Sequence, residues 1–194
     1  MLLPNLEVRF DSFSFQYLPG LNFFKVPPLS FENTIHVDSL DYVSTIHLTQ
    51  RATDILRVFK SEVNANIIED YGSSRGYIVC SIRDAKTENK YGWAVLSGLT
   101  LGIPNLFGMP LGKVQTYLDV QVDFYSSKRE KVKTYSYACE GHAWIALYYG
   151  YSERRTFNDS PVNRKATLEA FKCALSTIKA QINDDYHDLT FKLR

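Results

Sequence analysis

The sequence is poor in the residues that carry covalent and metal chemistry. It has three cysteines, Cys80, Cys139 and Cys173, and four histidines, His36, His47, His142 and His187. An odd number of cysteines excludes a complete disulfide framework within one chain. There is no CxxC pair, no HExxH and no His-x-His, so the usual ligand spacings of a zinc site are missing. Gly-x-Gly-x-x-Gly, the Walker phosphate loop and Gly-x-Ser-x-Gly are also missing. No charge of one sign dominates: 22 Lys and Arg face 21 Asp and Glu, for a net charge of +1. That balance argues against a general nucleic-acid binder, which normally carries a clear basic excess. Internal repeats and low-complexity segments are absent. The run Met1-Leu2-Leu3-Pro4-Asn5-Leu6-Glu7 has neither a basic start nor a long apolar stretch, and does not read as a signal peptide. Two origins fit: a cytoplasmic protein, or a Met placed where a signal was cut away.

What is present is a core-forming composition. The chain has 194 residues, 45% of them hydrophobic, with 13 Tyr and 12 Phe. This suits one domain, or a small domain with an added arm. Residues 1–40 read as an irregular aromatic arm, broken by Pro19-Gly20 and Pro27-Pro28, with a strand near 31–37. Residues 41–185 read as one domain and 186–194 as a polar, loosely held tail. Ala52, Ile55, Leu56, Phe59, Val63 and Ile67 fall at three- and four-residue steps and predict a helix over 49–68, with Thr49 as N-cap. Residues 77–83 read as a strand and 84–90 as a charged turn. Strict alternation from Val114 to Tyr125 predicts a half-buried strand, returning through a loop at 126–131 to a partner at 132–139. Ser160 and Pro161 start a long helix to about Asn183, with Leu168, Phe171, Leu175, Ile178 and Ile182 as its buried stripe. The economical assembly is an α+β fold: a mainly antiparallel sheet with two helices on one face, plus the irregular N-terminal arm.

The unusual segment is Tyr91 to Gly112. It contains 22 consecutive residues without a charge, flanked by Lys90 and Lys113, and holds five of the ten glycines. Its length would span a bilayer as a helix, and Gly98/Gly102 and Gly108/Gly112 form GxxxG pairs. Pro104, Pro110 and Asn105 argue against a spanning helix. Two readings remain open: a buried glycine-rich crossover, or an apolar protrusion set against a membrane surface or partner subunit. In the second reading the contact residues are Trp93, Leu96, Leu99, Leu101, Ile103, Leu106, Phe107 and Met109.

Other signals are weaker. Gly72-Ser73-Ser74-Arg75-Gly76 reads as a solvated turn. Trp144, Tyr148, Tyr149 and Tyr151 crowd one stretch and could stack a sugar or base, although core and sheet-edge packing is the favoured reading. Glu140, His142 and Cys139 are the only nameable catalytic candidates, and without a further nucleophile they make no constellation. Three free thiols are expected. If a bridge forms, Cys80 and Cys139 on adjacent strands are the expected pair, with Cys173 a free thiol in the core.

The stretch Ser97-Gly98-Leu99-Thr100-Leu101-Gly102-Ile103-Pro104-Asn105-Leu106-Phe107-Gly108-Met109-Pro110 carries a family likeness. So do Tyr117-Leu118-Asp119-Val120-Gln121-Val122, Ala143 to Tyr151, and Ala170-Phe171-Lys172-Cys173-Ala174-Leu175. Together they resemble a family of uncharacterised predicted envelope lipoproteins of Gram-negative gut bacteria, over roughly residues 50–183. The order of elements is more remotely similar to the N-terminal domain of TolB and to the curli-channel lipoproteins, an analogy of topology. The resemblance implies a periplasm-facing envelope protein, although this sequence has no signal and no lipid-carrying Cys near its start. The resulting expectation is a non-enzymatic protein without cofactor or metal, which binds a protein partner or assembles with itself, close to a membrane and not on nucleic acid. The alternative is a soluble glycan-binding module using Trp144 and the neighbouring tyrosines.

Overall fold

The computed structural model describes residues 2–11, 14, 34–36, 50–69, 71–90, 98–100, 103–146 and 161–193. Along the chain these give β1 (Glu7–Asp11), β2 (Thr34–His36), α1 (Gln50–Asn66), β3 (Gly76–Lys90) and α2 (Ile103–Leu106). Then follow β4 (Pro110–Ser126), β5 (Lys131–Ala146), α3 (Pro161–Asp184) and α4 (Tyr186–Lys192). The five strands form one sheet in the order β2-β1-β3-β4-β5. Only β1 and β3 run parallel, and the other neighbours are antiparallel. The fold is therefore α+β with a mainly antiparallel sheet, as the alternation in β4 predicts.

One face of the sheet is apolar. Ile78, Cys80 and Ile82 of β3 stand opposite Phe124, Val122 and Val120 of β4, and all six are buried. The stripe Ala52, Ile55, Phe59 and Val63 of α1, with Ile67 just past its end, and the stripe Phe171, Ala174, Leu175, Ile178 and Ile182 of α3 close over them. Phe59 sits at the centre, edge-on to Phe10 of β1 at 5.4 Å and to Phe171 of α3 at 6.4 Å. Arg164 of α3 donates from Nε to Asp54 of α1 at 2.7 Å, so charge joins the two helices at the rim. The small side chains Ala166, Ala170 and Ala174 let α3 approach the sheet closely. Gly141 of β5 is matched to them: a Cβ there would run into the carbonyl oxygen of Ala166 and the amide nitrogen of Ala170.

Several elements depart from the sequence reading. Strand β3 does not turn at Asp84 but continues to Lys90, shifting register at a bulge between Ile82 and Asp84. Its charged half lies beyond the apolar core and gains its hydrogen bonds from β4, which needs no apolar side chains. Strand β5 runs to Ala146, past the expected end at 139. The N-terminal residues supply β1 to the sheet interior, with Val8 and Phe10 facing the core. The tail forms α4, held by buried Leu189 and Leu193 and by a hydrogen bond from the Tyr186 hydroxyl to the Leu2 carbonyl at 3.1 Å. Thr49 and Ser160, the expected N-caps, lie outside the described residues.

The expected cysteine arrangement is overturned. Cys139 of β5 and Cys173 of α3 form a disulfide, with their Cα atoms 6.0 Å apart, and Cys80 is the free, buried thiol. β4 lies between β3 and β5, so Cys80 and Cys139 are not on adjacent strands; Cys139 pairs in register with Leu118 and faces the helices, where Cys173 meets it. Burial, reinforced by Asp123, pushes the Cys80 thiol far above its ordinary range, which leaves it protonated and unreactive.

Candidate functional site

The uncharged segment is the loop of the β3–β4 hairpin. Its two flanking lysines are a register pair: Lys90 stands directly opposite Lys113. The next strand places Trp144 opposite Lys113. Lys90, Lys113 and Trp144 therefore form one row across three strands, at the end of the sheet from which the loop departs. Paired residues share a face, and this row is on the face away from the helices. The Lys113 ammonium sits 5.5 Å from the centre of the Trp144 ring.

Beyond this row several of the described apolar side chains are exposed. The exposed fractions are 79% for Leu99, 57% for Ile103, 62% for Leu106, 86% for Phe107 and 36% for Met109. Local geometry fixes this presentation. Ile103 donates its amide to the Thr100 carbonyl at 3.2 Å, and Gly108 donates to the Asn105 carbonyl at 3.0 Å. Pro104 falls in the first turn of α2, where no amide donor is needed. Gly108 closes the turn with φ +83°, a conformation that disfavours a side chain. Asn105 is buried while Ile103, Leu106 and Phe107 face outward. Trp93, Leu96 and Leu101, the other expected contact residues, lie outside the described residues.

Behind the Lys90–Lys113–Trp144 row the open face becomes polar. One row back stand Glu88, Gln115 and His142, and the next holds Lys86, Tyr117 and Glu140. Lys86 pairs with Glu88 at 2.7 Å, which holds the Glu88 carboxyl below its usual range and raises the Lys86 ammonium. Lys90 donates to Gln115 at 3.0 Å, and Gln115 donates on to Glu140 at 2.5 Å. Lys86, Glu88, Gln115, Tyr117 and Glu140 line a shallow depression there.

The catalytic candidates are divided between faces: Glu140 and His142 stand in successive rows of the open face, and Cys139 lies on the other. Glu140 is engaged by Gln115, and the His142 backbone amide donates to Glu169 of α3 at 3.2 Å. Cys139 faces the opposite side and its thiol is consumed in the disulfide. Of the aromatic group, Trp144 is 42% exposed on the open face, whereas Tyr148, Tyr149 and Tyr151 lie outside the described residues. Among the described residues no group of His, Cys, Asp and Glu is arranged to hold a metal ion. No helix among them is long and apolar enough to cross a membrane. Sequence reasoning marked Lys90 and Lys113 only as flanks. No local pattern records that they meet, because the pairing is set by the register of β3 on β4.

No family model matches this chain. No curated protein matches it either. Among solved structures it is similar to a candidate lipoprotein from Caulobacter crescentus, with 8% sequence identity and a TM-score of 0.40, over 75% of this chain and 84% of that one.

Proposed function

We propose that this is a non-enzymatic cell-envelope protein that acts by contact, through the apolar loop of the β3–β4 hairpin. The observation that carries the reading is the exposure of Leu99, Ile103, Leu106 and Phe107 on one short charge-free loop. Water penalises such a cluster, and contiguous exposed apolar surface usually marks a place that is covered in use. The Cys139–Cys173 bridge supports an oxidising compartment such as the periplasm. The likeness of the 97–110 segment to envelope lipoproteins points the same way.

The test is the double variant Leu106→Ser/Phe107→Ser in the full chain. A contact loop predicts an unchanged melting temperature and a loss of whatever association the parent shows in light scattering. Were the two side chains core, each would cost about 2–5 kcal/mol. At about 2–4 °C per kcal/mol for a chain of this size, the melting temperature would drop by roughly 10 °C or more, and the reading would be lost.

A second reading, glycan stacking on Trp144, draws on the half-exposed ring and the polar depression on the same face. Sugar titration of the parent and Trp144→Phe tests it, because stacking requires the parent alone to respond.

A further inference from the structure

We infer that the surface the loop contacts is the interface of an anionic lipid bilayer; this rests on reading the loop as a contact element. The argument is the order of chemistries along the hairpin. The tip carries Leu99, Ile103, Leu106 and Phe107, all exposed. No charge occurs anywhere from residue 91 to 112. At the base, where the loop joins the sheet, stand two ammonium groups and an indole in one row: Lys90, Lys113 and Trp144. An apolar end followed by a collar of Lys and Trp matches the order of acyl chains and headgroups. Trp favours the headgroup level, Lys reaches for phosphate, and neither is drawn into hydrocarbon.

The charge distribution fits the same depth profile. On the adjacent strands, the first carboxylate behind the collar is Glu88, one row back, about 6.6 Å farther from the tip at the rise of an extended chain. It is already paired with Lys86 at 2.7 Å and lies 3.8 Å from Lys90. Glu140 is two rows back and held by Gln115. Anionic headgroups approaching the tip end therefore meet lysine before carboxylate. A loop that leaves and re-enters one hairpin at the paired Lys90 and Lys113 lies in the interface rather than crossing the membrane.

The experiment is co-sedimentation of the full chain with vesicles of phosphatidylcholine mixed with phosphatidylglycerol, and of phosphatidylcholine alone. The expected result is binding to the anionic vesicles that falls as salt is added. Leu106→Ser/Phe107→Ser should reduce it more than tenfold at an unchanged melting temperature. Lys90→Gln and Lys113→Gln should each weaken it roughly five-fold on anionic vesicles, and leave phosphatidylcholine binding where it was. Lack of binding to anionic vesicles, or binding that the Leu106/Phe107 variant retains, overturns the inference. If vesicles are not bound but the parent self-associates through Phe107, the bilayer is overturned and the contact loop stands. A large fall in melting temperature for the Leu106/Phe107 variant overturns both.

Discussion

The hydroxyl of Tyr135 on β5 donates to the carboxylate of Asp185, 2.9 Å away, at the junction of α3 and α4. Lys133 reaches the same carboxylate oxygen at 2.7 Å. The tyrosine ring is buried, edge-on to Phe124 at 5.8 Å, so one side chain joins the core to a surface ion pair.

This junction predicts a specific pH response. Burial first, and the bond to Asp185 second, raise the Tyr135 phenol well above its ordinary value of 10.0. The folded protein keeps a proton that the unfolded chain releases, so this contribution is complete below about pH 10 and declines as pH rises further. Asp185 behaves oppositely. Its bonds to Lys133 and then Tyr135 hold its carboxyl below 3.8, so its contribution is present above that pH and is lost as acid titrates the lowered group. In Tyr135→Phe the melting temperature should fall by a few degrees at neutral pH. The deficit should narrow in alkali, where only the parent loses the phenol's contribution. A constant deficit across the alkaline range would count against this assignment.

The cysteines give a count. Three cysteines with one bridge leave a single thiol, so titration under denaturing, non-reducing conditions should find one group, Cys80. The bridge spans 34 residues. In the chain-entropy description a loop of that size stabilises by roughly 3–4 kcal/mol. Cys139→Ser/Cys173→Ser should therefore melt roughly 10 °C lower than the oxidised parent, and reductant should lower the parent to a similar degree.

Gly141 tests how closely α3 lies on the sheet. Its missing side chain faces backbone atoms of Ala166 and Ala170, which have no rotamer to yield. Gly141→Ala should destabilise by about 1–3 kcal/mol or more, whereas the same change at Gly98, where nothing lies in the way, should leave the melting temperature nearly unaltered.

Two phenylalanines should behave in opposite ways. Phe59 is fully buried between Phe10 and Phe171, and Phe59→Ala should cost about 3–5 kcal/mol. Phe107 is exposed, and Phe107→Ser should change stability by no more than about 0.5 kcal/mol. Denaturant unfolding of the two variants separates core from contact surface.

What was legible in the sequence was periodicity. The stripe through Ala52, Phe59 and Val63 marked α1, and the alternation from Val114 to Tyr125 marked β4, because burial on one face is written directly into residue order. Ends set by pairing rather than burial were not legible. Asp84 to Lys90 is charged, yet it is strand because β4 lies beside it. The parallel partnership of Val8 with Ile78 leaves no local trace, since two segments far apart must be brought together by the helix between them. Residues 186–194 looked like a polar tail because Leu189 and Leu193 are the only buried apolar side chains among its described residues. The Cys139–Cys173 pair depends on how α3 crosses β5, which neither element's own pattern records. At the loop, hydrophobicity without charge was plain, but its direction depended on the register that sets Lys90 against Lys113.

The disulfide also changes what counts as one molecule. Cys139, the end of β5, residues 147–160 and the first half of α3 form a closed covalent ring. A protease that cuts anywhere between the two cysteines opens the ring without releasing a fragment. The nicked chain keeps the second half of α3, with Leu175, Ile178 and Ile182, tethered to the sheet it covers. Such a cut stays invisible in a non-reducing gel and appears as two pieces once reductant is added. A protein built this way survives such a cut for as long as its surroundings remain oxidising.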